Sequence, residues 1–388
     1  MAESATTLGI LGGGQLGLFL AIDALRKGCA VKVFATTTHD PACAIVARAR
    51  TFGFDVDAAR IAAPIIGDFA DVTLQDAFMN SVDAVLVEFE NVPLDFIARI
   101  AKSGLPVSAN ADILRTAQHR HLEKQVANQL GIPTAPCHRI ASKEDMRAVA
   151  GELYPAILKL DSGGYDGKGQ VAVASHAELP AAWEALEQRP CLLEQRVEFV
   201  REVSMLAGRN AQGEIICFPP SLNAHHAGIL RTSSPLFEAQ VAHQLAIYAR
   251  AWAEHFRLTG IVCLEFFQTE HGFLFNESAP RPHNSYHWTL DASPPNQFEL
   301  AVCAILGKSF SEIPEKLETS VIMTNIIGEP PETSAIGPNG RLYDYGKSAC
   351  KPGRKMGHMN TILAIEMGMT QNEDRIPNPQ SNPMQSDA

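Results

Sequence analysis

The first hundred residues alternate short apolar runs with stretches whose apolar positions recur at helical spacing. Between the first two runs, Leu18, Ile22 and Leu25 fall on one face of a helix that Gly28 ends. Apolar runs that predict strands occupy residues 7–11, 31–35, 63–67 and 84–88. Strands that alternate with helices predict a mostly parallel, doubly wound sheet of the α/β class.

The pattern changes after Pro106. Residues 113–130 have the spacing of one long helix, which Gly131 and Pro133 close at a domain boundary. Longer apolar runs with glycine-rich turns then predict an α+β body containing antiparallel hairpins, and later runs predict a small β-rich domain. The polar end of the chain predicts a disordered tail. The predicted domains are 1–112, 113–310 with a lid subdomain at 134–200, 311–366, and the tail at 367–388.

The length, net charge and cysteine content of the chain limit the classes of protein to which it can belong. The 388 residues exceed one ordinary core, and 46% hydrophobic with 19% charged residues is typical of a globular protein. The net charge of −11 argues against a broad grip on nucleic acid or an anionic membrane. Eight scattered cysteines predict reduced thiols, and no apolar stretch approaches the ~18 residues of a membrane span. We therefore predict a cytoplasmic protein without nucleic-acid or membrane partners.

A first glycine cluster, residues 12–17, follows the first strand and precedes the first helix. It matches G-x-G-x-x-G, in which the backbone approaches a phosphate at a helix N-terminus. A dinucleotide-binding domain also needs an acidic residue at the end of its second strand. That strand ends in three threonines and His39, and Asp40 comes late. A structural turn or another phosphate ligand is therefore favoured over NAD, which remains the lesser alternative.

A second glycine-rich segment, residues 162–170, lies between a strand at 156–160 that carries Lys159 and a strand at 171–174. Glycines let backbone N–H groups approach phosphate oxygens, and Lys159 and Lys168 supply positive charge. We predict a loop that closes over a nucleoside triphosphate. A long surface hairpin with a solvated lysine is the alternative.

Two apolar runs, 261–267 and 273–277, flank a turn at 270–272. Residues 265 and 277 are symmetric about 271, so Glu265 and Glu277 would pair on one face, where like charges destabilise a sheet unless a cation compensates. Oxygen ligands without a thiolate favour Mg²⁺ over Zn²⁺, and Asn276 could add an oxygen contact, as could Asn284. A register slip that separates the two glutamates is the alternative.

Three further polar groups are ambiguous by themselves. Arg281, His283 and Asn284 directly follow the hairpin, where an oxyanion could bind. Residues 194–197 with Glu202 predict a solvated strand edge. His225 beside His226 has no third ligand at metal-binding spacing, which favours a phosphate contact or a plain loop.

Five segments in order resemble the ATP-grasp superfamily and, within it, the N5-carboxyaminoimidazole ribonucleotide synthase family. They are GGGQLG at 12–17, EFENVP at 88–93, GGYDGKGQ at 163–170, NESAPRPHNS at 276–285 and KPGRKMGH at 351–358. One segment could match by chance, but five with family-like spacing make chance a poor explanation. The resemblance, from about residue 8 to 360, implies an ATP-grasp fold with an N-terminal doubly wound parallel sheet and a small C-terminal β-rich domain.

The resemblance also implies ligand contacts. Glu265 and Glu277 would hold Mg²⁺, and bicarbonate would lie near Arg281, His283 and Asn284. Around ATP it implies Glu194 and Val197 at adenine, Glu202 at ribose, and Arg120, Lys159, Gly164, Tyr165, Asp166, Gly167, Lys168, Gly169, Gln170, Gln195, Arg196, His225, Asn276 and Glu277. For aminoimidazole ribonucleotide it implies Gly14, Gln15, Leu16, Glu88, Glu90, Tyr165, Asp166, Lys168, Arg281, Lys347 and Arg354.

The implied reaction belongs to purine biosynthesis and has two steps. Bicarbonate attacks the γ-phosphate of ATP to give carboxyphosphate, and the amine of aminoimidazole ribonucleotide then takes up the carboxyl group or released CO₂. Lys159, Arg281 and Mg²⁺ would stabilise phosphoryl oxygens, His283 and Asn284 would hold bicarbonate, and Asp166 would remove the amine proton. We also predict a homodimer and a separate mutase chain that receives the product.

Two positions depart from the family pattern. Tyr286 stands where the family usually has glycine, which could change the bicarbonate pocket, and Leu18 stands where it commonly has arginine, which could change ribonucleotide phosphate binding. The alternatives within the fold are a formate-using glycinamide ribonucleotide transformylase and a biotin carboxylase. A nicotinamide-dependent oxidoreductase and a non-catalytic nucleotide-binding scaffold are the alternatives from other classes.

Overall fold

A computed structural model describes residues 5–164, 169–292, 295–311, 313, 319–332 and 336–363 of the chain. The predicted tail at 367–388 lies outside these residues. Among the helices that the model describes, none combines the length and apolar character needed to cross a bilayer.

The chain begins with a parallel sheet of four strands in the order β3-β2-β1-β4. This confirms the predicted doubly wound arrangement, although the third strand is shorter than expected. The strands are β1 (Thr7–Leu11), β2 (Ala30–Ala35), β3 (Ile65–Ile66) and β4 (Ala84–Val87), and the helices among and after them are α1 (Gln15–Arg26), α2 (Ile45–Thr51), α3 (Val72–Met79) and α4 (Leu94–Lys102).

Helix α1 presents the predicted apolar face. Leu18, Ile22 and Leu25 are all buried against the sheet and neighbouring elements. Gly28 adopts a φ of +83°, the left-handed conformation that commonly ends a helix and that glycine adopts without a steric penalty. The first glycine cluster, residues 12–17, therefore lies between the carboxyl end of β1 and the first turn of α1.

The single helix predicted over 113–130 is wrong, because the segment forms α5 (Ala111–Ala117) and α6 (Arg120–Gln129). His119 between them is extended, with φ −134° and ψ 109°. The N–H groups of Arg120 and His121 bond to the carbonyl and carboxylate of Asp161, at 2.9 and 3.0 Å. The apolar residues keep a helical spacing across the break, because both helices pack on the same hydrophobic core. This break directs the first residue of α6 into a cleft.

The segment predicted as a lid subdomain forms an antiparallel sheet in the order β5-β8-β6-β7, with a small hydrophobic core of its own. Its predicted strand at 156–160 is confirmed. The elements are β5 (Cys137–Ile140), α7 (Lys143–Arg147), β6 (Ala156–Leu160), β7 (Gln170–Val173), α8 (Leu179–Ala185) and β8 (Cys191–Gln195).

The remaining strands form one sheet in the order β14-β13-β9-β11-β12-β15-β17-β16, and β10 pairs with β9. The elements are β9 (Arg201–Arg209), β10 (Ile215–Cys217), β11 (Ser221–His226), β12 (Ile229–Pro235), α9 (Ala239–His255), β13 (Gly260–Thr269), β14 (Gly272–Ala279), α10 (Gln297–Ile305), β15 (Ser320–Ile327), β16 (Gly340–Asp344) and β17 (Lys355–Leu363). Short 3-10 helices span Pro41–Cys43, Ala58–Arg60, Gly151–Leu153, His176–Glu178 and Asn284–Leu290.

The segment predicted to be β-rich near the C-terminus forms the three strands β15, β16 and β17, which continue the central sheet. Thr232 and Ser233 of β12 pair with Thr324 and Met323 of β15. The cores are shared in the same way, since Phe19 of α1 packs on Phe298 of α10 and on the C-terminal strand β16. The predicted boundaries at 112/113 and 310/311 stay predictions. The segments they separate are packed into common cores.

Candidate active site

A cleft of about 350 Å³ lies between the parallel sheet, the start of α6, the base of the second glycine-rich segment and the β13/β14 hairpin. Residues from six separate segments of the sequence meet there. The predicted site residues that line it are Gln15, Leu16, Glu88, Glu90, Arg120, Gly164, Glu277, Arg281, His283 and Asn284. The segments singled out by their chemistry are therefore neighbours in space.

The first glycine cluster is shaped around a carboxylate of the chain itself. Glu88 accepts hydrogen bonds from the N–H groups of Gly14 and Gly17, at 2.7 and 2.6 Å. A Cβ atom added at Gly14 would lie 2.6 Å from Glu88 Oε1, so a side chain there would displace the carboxylate. Burial raises the pKa of Glu88, and the two N–H bonds partly offset this. Glu88 thus occupies the N-terminus of α1, where a dinucleotide pyrophosphate would otherwise bind.

Arg281 is held by a second acidic residue of the same segment. Its guanidinium forms an ion pair with Glu90 and donates a further bond to the Pro282 carbonyl at 3.0 Å. Burial opposes ionisation of Glu90, but the charge of Arg281 lowers the pKa of this carboxyl to about 2. Arg281 is therefore a fixed positive charge at the cleft.

The next two predicted residues are held by buried amides. Gln297 of α10 accepts a bond from the His283 N–H at 2.7 Å and donates to the His283 carbonyl at 2.9 Å. Asn284 exchanges two amide bonds with Asn325 of β15, at 2.7 and 3.0 Å. Burial and the charge of Arg281 lower the pKa of His283 well below its usual value, so its imidazole is neutral. The backbone of His283 and the side chain of Asn284 are thus held by hydrogen bonds at the bottom of the cleft, and the His283 imidazole adds no charge there.

The β13/β14 hairpin pairs Glu265 with Glu277, as predicted. The pairing depends on an irregularity in the strand register that the symmetry argument did not include. At the turn, Thr269 pairs with Gly272, which would set Glu265 opposite Asn276. A β-bulge at Asn276 inserts one residue and restores the pairing of the two glutamates. Lys124 stabilises the bulge, since its ammonium donates to the carbonyls of Phe275 and Asn276 at 3.0 and 2.9 Å.

The pKa values of the two paired carboxyl groups are shifted in opposite directions. Burial and then the charge of Glu277 raise the pKa of Glu265 to about 7. Desolvation would also raise the pKa of Glu277, but the charge of Arg120 and its bond of 3.0 Å hold it below the usual value. The Oδ1 atom of Asn276 is buried without a hydrogen-bond partner among the described residues. Opposed carboxylates fit a hard divalent cation such as Mg²⁺, and the unsatisfied amide oxygen of Asn276, the residue before Glu277, is a further candidate ligand.

A buried ion triplet joins the lid to α6. Lys159 of β6 donates to Glu194 of β8 at 2.8 Å, and the Lys124 ammonium lies 3.6 Å from the other oxygen of Glu194. Burial opposes the charge of Glu194, but the two ammonium groups lower the pKa of this carboxyl to about 2. The prediction of a solvated edge at 194–197 is therefore wrong for Glu194. Its carboxylate positions two lysines side by side.

Comparison with known proteins links these features to one family. Family models match consecutive segments: the ribonucleotide synthetase preATP-grasp domain at 5–118, the ATP-grasp domain at 125–298 and the phosphoribosylaminoimidazole carboxylase C-terminal domain at 321–367. The N5-carboxyaminoimidazole ribonucleotide synthase of Brucella melitensis biotype 1 is 36% identical over 371 residues, which cover 93% of this chain and 97% of that protein. The chain belongs to the N5-carboxyaminoimidazole ribonucleotide synthase family.

Two solved structures of this family have the same fold. The N5-carboxyaminoimidazole ribonucleotide synthetase of Thermus thermophilus is 33% identical, with a TM-score of 0.80 over 91% of this chain and 93% of that one. The N5-carboxyaminoimidazole synthase of Aspergillus clavatus, solved with ADP and 5-aminoimidazole ribonucleotide, is 26% identical, with a TM-score of 0.80 over 92% of this chain and 94% of that one. The predicted ATP-grasp fold is confirmed.

Other family residues predicted to contact ligands lie around the cleft without lining it. Glu202 of β9 and His225 of β11 form an ion pair, and although burial lowers the pKa of His225, the Glu202 hydrogen bond raises it overall. Gln195 donates to the Glu152 carbonyl at 3.1 Å. Arg196 is exposed and Val197 is half-buried beyond the end of β8. Gly169 directly precedes β7, which Gln170 begins. The other predicted loop residues, Tyr165, Asp166, Gly167 and Lys168, lie outside the described residues.

Lys347 and Arg354 were predicted to contact the ribonucleotide, yet it is Lys355 that lines the cleft. Lys347 donates to the Lys355 carbonyl at 2.7 Å, and Arg354 donates to the Ala349 carbonyl at the surface. Lys355 is the first residue of β17, and the alternation of side chains along a strand separates it from its neighbours. Four basic residues lie within the nine positions 347–355, and the register of β17 was needed to identify which of them lines the cleft.

The two departures from the family pattern lie away from the cleft. The Tyr286 hydroxyl accepts from the Leu206 N–H at 3.0 Å and donates to the Ser204 carbonyl at 2.9 Å, so the ring packs beneath the sheet. Leu18 is fully buried in the core with α1. Neither side chain lines the cleft, and their effects on bicarbonate and phosphate binding stay predictions.

Sequence reasoning missed several residues that the structure brings to the cleft. Glu123 bonds the N–H and hydroxyl of Ser278, at 2.7 and 2.8 Å, and burial with the charge of Glu277 raises its pKa to about 8. Lys124, next in the chain, is also buried. Two adjacent buried charges in a polar helix could have been a signal, since such residues are rarely buried without a partner. The prediction of one continuous helix over 113–130 did not indicate that Glu123 and Lys124 face the protein interior.

Proposed function

We propose that this protein catalyses the ATP-dependent carboxylation of 5-aminoimidazole ribonucleotide by bicarbonate in purine biosynthesis. The products are N5-carboxyaminoimidazole ribonucleotide, ADP and phosphate. The observation that carries this proposal is the 36% identity, over nearly the whole of both chains, with a synthase of that name. The cleft supports it, because residues from all five family segments line it or directly adjoin it.

ATP would bind between the lid and the central sheet. Lys159 and Lys124 offer two ammonium groups whose positions are fixed by Glu194, and Arg120 adds a guanidinium beside Glu277. Clustered cations of this kind stabilise the polyphosphate and the charge that develops during phosphoryl transfer. The Aspergillus clavatus structure was solved with ADP, which supports a nucleotide site in this fold.

Mg²⁺ would be held by Glu265 and Glu277, with the buried amide oxygen of Asn276 next to them. When bound, the ion would neutralise phosphate charge. Arg120 keeps Glu277 ionised, so this carboxylate is ready to bind a cation at neutral pH. Because the pKa of Glu265 is raised to about 7, binding of the cation would favour its ionised form and should become tighter as the pH rises through neutrality.

Bicarbonate would bind against Arg281, whose ion pair with Glu90 sets the position of the guanidinium. In the first step a bicarbonate oxygen bonds to the γ-phosphorus of ATP, the bond to ADP breaks, and carboxyphosphate forms. In the second step the amine nitrogen bonds to the carboxyl carbon, phosphate leaves, and the amine loses a proton. Neutral His283 and the amide-bonded Asn284 orient the small anion without adding charge. The role of Asp166 as the proton acceptor stays a prediction.

The test is phosphate release from MgATP by the full-length protein, with aminoimidazole ribonucleotide and bicarbonate added singly and together. We expect strong stimulation only with both substrates, and formation of the carboxyamino product. Lys159→Met should abolish turnover, because it removes a cation from the polyphosphate site. Stimulation by formate with glycinamide ribonucleotide, or by biotin, would instead identify another ATP-grasp ligase.

A homodimer, a cytoplasmic location and a separate mutase that receives the product complete the proposal. The product is a carbamate, which loses CO₂ readily, and this favours rapid consumption by a following enzyme. Size-exclusion chromatography with light scattering tests the dimer.

A further inference from the structure

Two histidines and an aspartate converge at the base of the second glycine-rich segment. The Nδ1 atom of His121 lies 2.7 Å from both carboxylate oxygens of Asp161. The Nδ1 atom of His119 lies 3.5 Å from one of them. One donor atom from each side chain lies within 4.8 Å of the others. These residues are separate from the Glu265/Glu277 pair.

Main-chain bonds fix this arrangement. His119 precedes α6, His121 is its second residue, and Asp161 directly follows β6. The Arg120 N–H donates to the Asp161 carbonyl at 2.9 Å, and the His121 N–H donates to the Asp161 carboxylate at 3.0 Å. The Asp161 N–H donates to the Pro190 carbonyl at 2.9 Å. The backbone therefore presents the three side chains to one another before any ligand is added.

The His119 ring has an unsatisfied nitrogen. Its Nδ1 atom is buried and has no hydrogen-bond partner among the described residues. A buried polar atom without a partner costs about 1–3 kcal/mol and calls for an explanation. The Asp161 side chain is only 5% exposed, so a buried carboxylate lies beside this nitrogen. Asp161 already accepts bonds from His121, so an ion bound between the two side chains would satisfy the nitrogen of His119.

We propose that His119, His121 and Asp161 form a binding site for one transition-metal ion of the zinc class. Two imidazole nitrogens with one carboxylate oxygen are ligands that suit Zn²⁺, which in many sites takes three protein ligands and leaves one position open. Imidazole nitrogen does not suit Mg²⁺, which prefers oxygen. The site is therefore distinct in ligand chemistry from the carboxylate pair that would hold Mg²⁺.

The geometry requires little movement. With metal-ligand bonds of about 2.0–2.2 Å, two donors of a tetrahedral site lie about 3.4 Å apart. The separation between His119 and Asp161 already has this value within 0.1 Å or so, at 3.5 Å. His121 would move away from Asp161 by well under 1 Å, from its present 2.7 Å. A bound ion would connect the N-terminus of α6 to the base of the glycine-rich segment.

The experiment measures metal binding by the full-length, chelator-treated protein in the presence of excess Mg²⁺. Zinc chloride is titrated calorimetrically, and bound Co²⁺ is followed by its visible absorption. We expect one ion per chain. His121→Gln should weaken binding at least tenfold, while His176→Gln, a lid histidine outside the cluster, should not change it. His119→Asn gives a second test if the first variant folds poorly, and melting temperatures without metal establish folding.

Three results would each overturn the site. They are the absence of binding at micromolar zinc, equal affinity in the His121→Gln and His119→Asn proteins and the wild type, and displacement of zinc by millimolar Mg²⁺. Displacement would mean that zinc occupies the carboxylate pair. A Co²⁺ spectrum that is lost in His121→Gln and kept in His176→Gln would support the site independently of catalytic activity.

Discussion

Replacement of Glu194 by glutamine tests whether this carboxylate is mainly a contact to the adenine or a support for two buried lysines. The family resemblance implied the first role, and the structure supports the second, since Glu194 lies 2.8 Å from Lys159 and 3.6 Å from Lys124. Glutamine keeps the shape and removes the charge. Two ammonium groups would then be buried without their counter-ion, which is far costlier than the loss of a surface ion pair.

The size of the effect follows from the proton affinity of Glu194. Its pKa falls from 4.5 to about 2, and at about 1.4 kcal/mol per tenfold change this corresponds to about 3 kcal/mol. Removal of one partner from a buried pair typically costs about 3–5 kcal/mol. Burial also lowers the pKa of Lys124, so part of the lysine charge can be shed in the variant. We therefore expect a loss of about 2–3 kcal/mol in the free energy of unfolding.

The assay is urea unfolding at neutral pH, followed by fluorescence and circular dichroism, with Glu198→Gln as the control. Glu198 is an exposed glutamate four positions away. Affinity for ATP should also fall in Glu194→Gln, because the lysines lose their fixed positions. If the variant binds ATP weakly but unfolds at the same urea concentration as the wild type, the support role is wrong.

The pH dependence gives an independent check. Because the pKa of Glu194 is lowered in the folded protein, its stabilising contribution is fully present above about pH 4.5 and is lost as the pH falls towards 2. The difference in stability between the wild type and Glu194→Gln should therefore shrink on acidification within that range. A difference that grows on acidification would contradict the assignment.

Three further changes address other parts of the cleft. Glu88→Gln can accept only one of the two N–H bonds from the glycine cluster, so urea unfolding should show a loss of about 1–3 kcal/mol. Since the pKa of Glu88 is raised in the folded protein, the difference in unfolding free energy between the wild type and Glu88→Gln should decrease as the pH rises above 4.5. An increase in that difference would refute the raised pKa. Gln297→Leu frees the His283 backbone and should lower kcat at least tenfold with the KM for ATP within twofold. An unfolded fraction would also lower kcat, so the variant must match the wild type in circular dichroism and melting temperature, and an unchanged kcat would refute the role of Gln297. Glu277→Gln should raise the Mg²⁺ concentration for half-maximal turnover at least tenfold, and an unchanged Mg²⁺ dependence would exclude the proposed ligand.

Local sequence patterns were sufficient for most elements and for the choice of the glutamate pair. Strand β1 and its helix follow from periodicity, and the pairing of Glu265 with Glu277 follows from symmetry about residue 271. The symmetry argument assumed a turn centred on residue 271, whereas the turn is centred between residues 270 and 271. The argument still gave the correct pair, because the bulge at Asn276 shifts the register by one residue. Nothing in the hairpin sequence specifies that bulge. It depends on Lys124, which is more than 150 positions away.

Longer-range effects explain the residues that could not be predicted. The break at His119 depends on main-chain bonds to Asp161. The spacing of apolar residues along the sequence contains no information about such tertiary contacts. Lys355 was missed for a similar reason, since its direction depends on the pairing of β17 with β15 and β16. Glu88 was correctly placed at the site, but its role in filling the glycine cluster required the fold of the first sheet.

The pairing of β12 with β15 has a consequence for truncated forms of the chain. Removal of the residues after Gly307 would leave β12 as an edge strand with unpaired N–H and C=O groups. It would also uncover the Phe19 ring, which packs against Tyr343 and Tyr345. Exposed edges and aromatic surface promote association between molecules. The C-terminal strands therefore protect the catalytic sheet from aggregation, and a fragment without them should precipitate during expression instead of remaining a smaller nucleotide-binding protein.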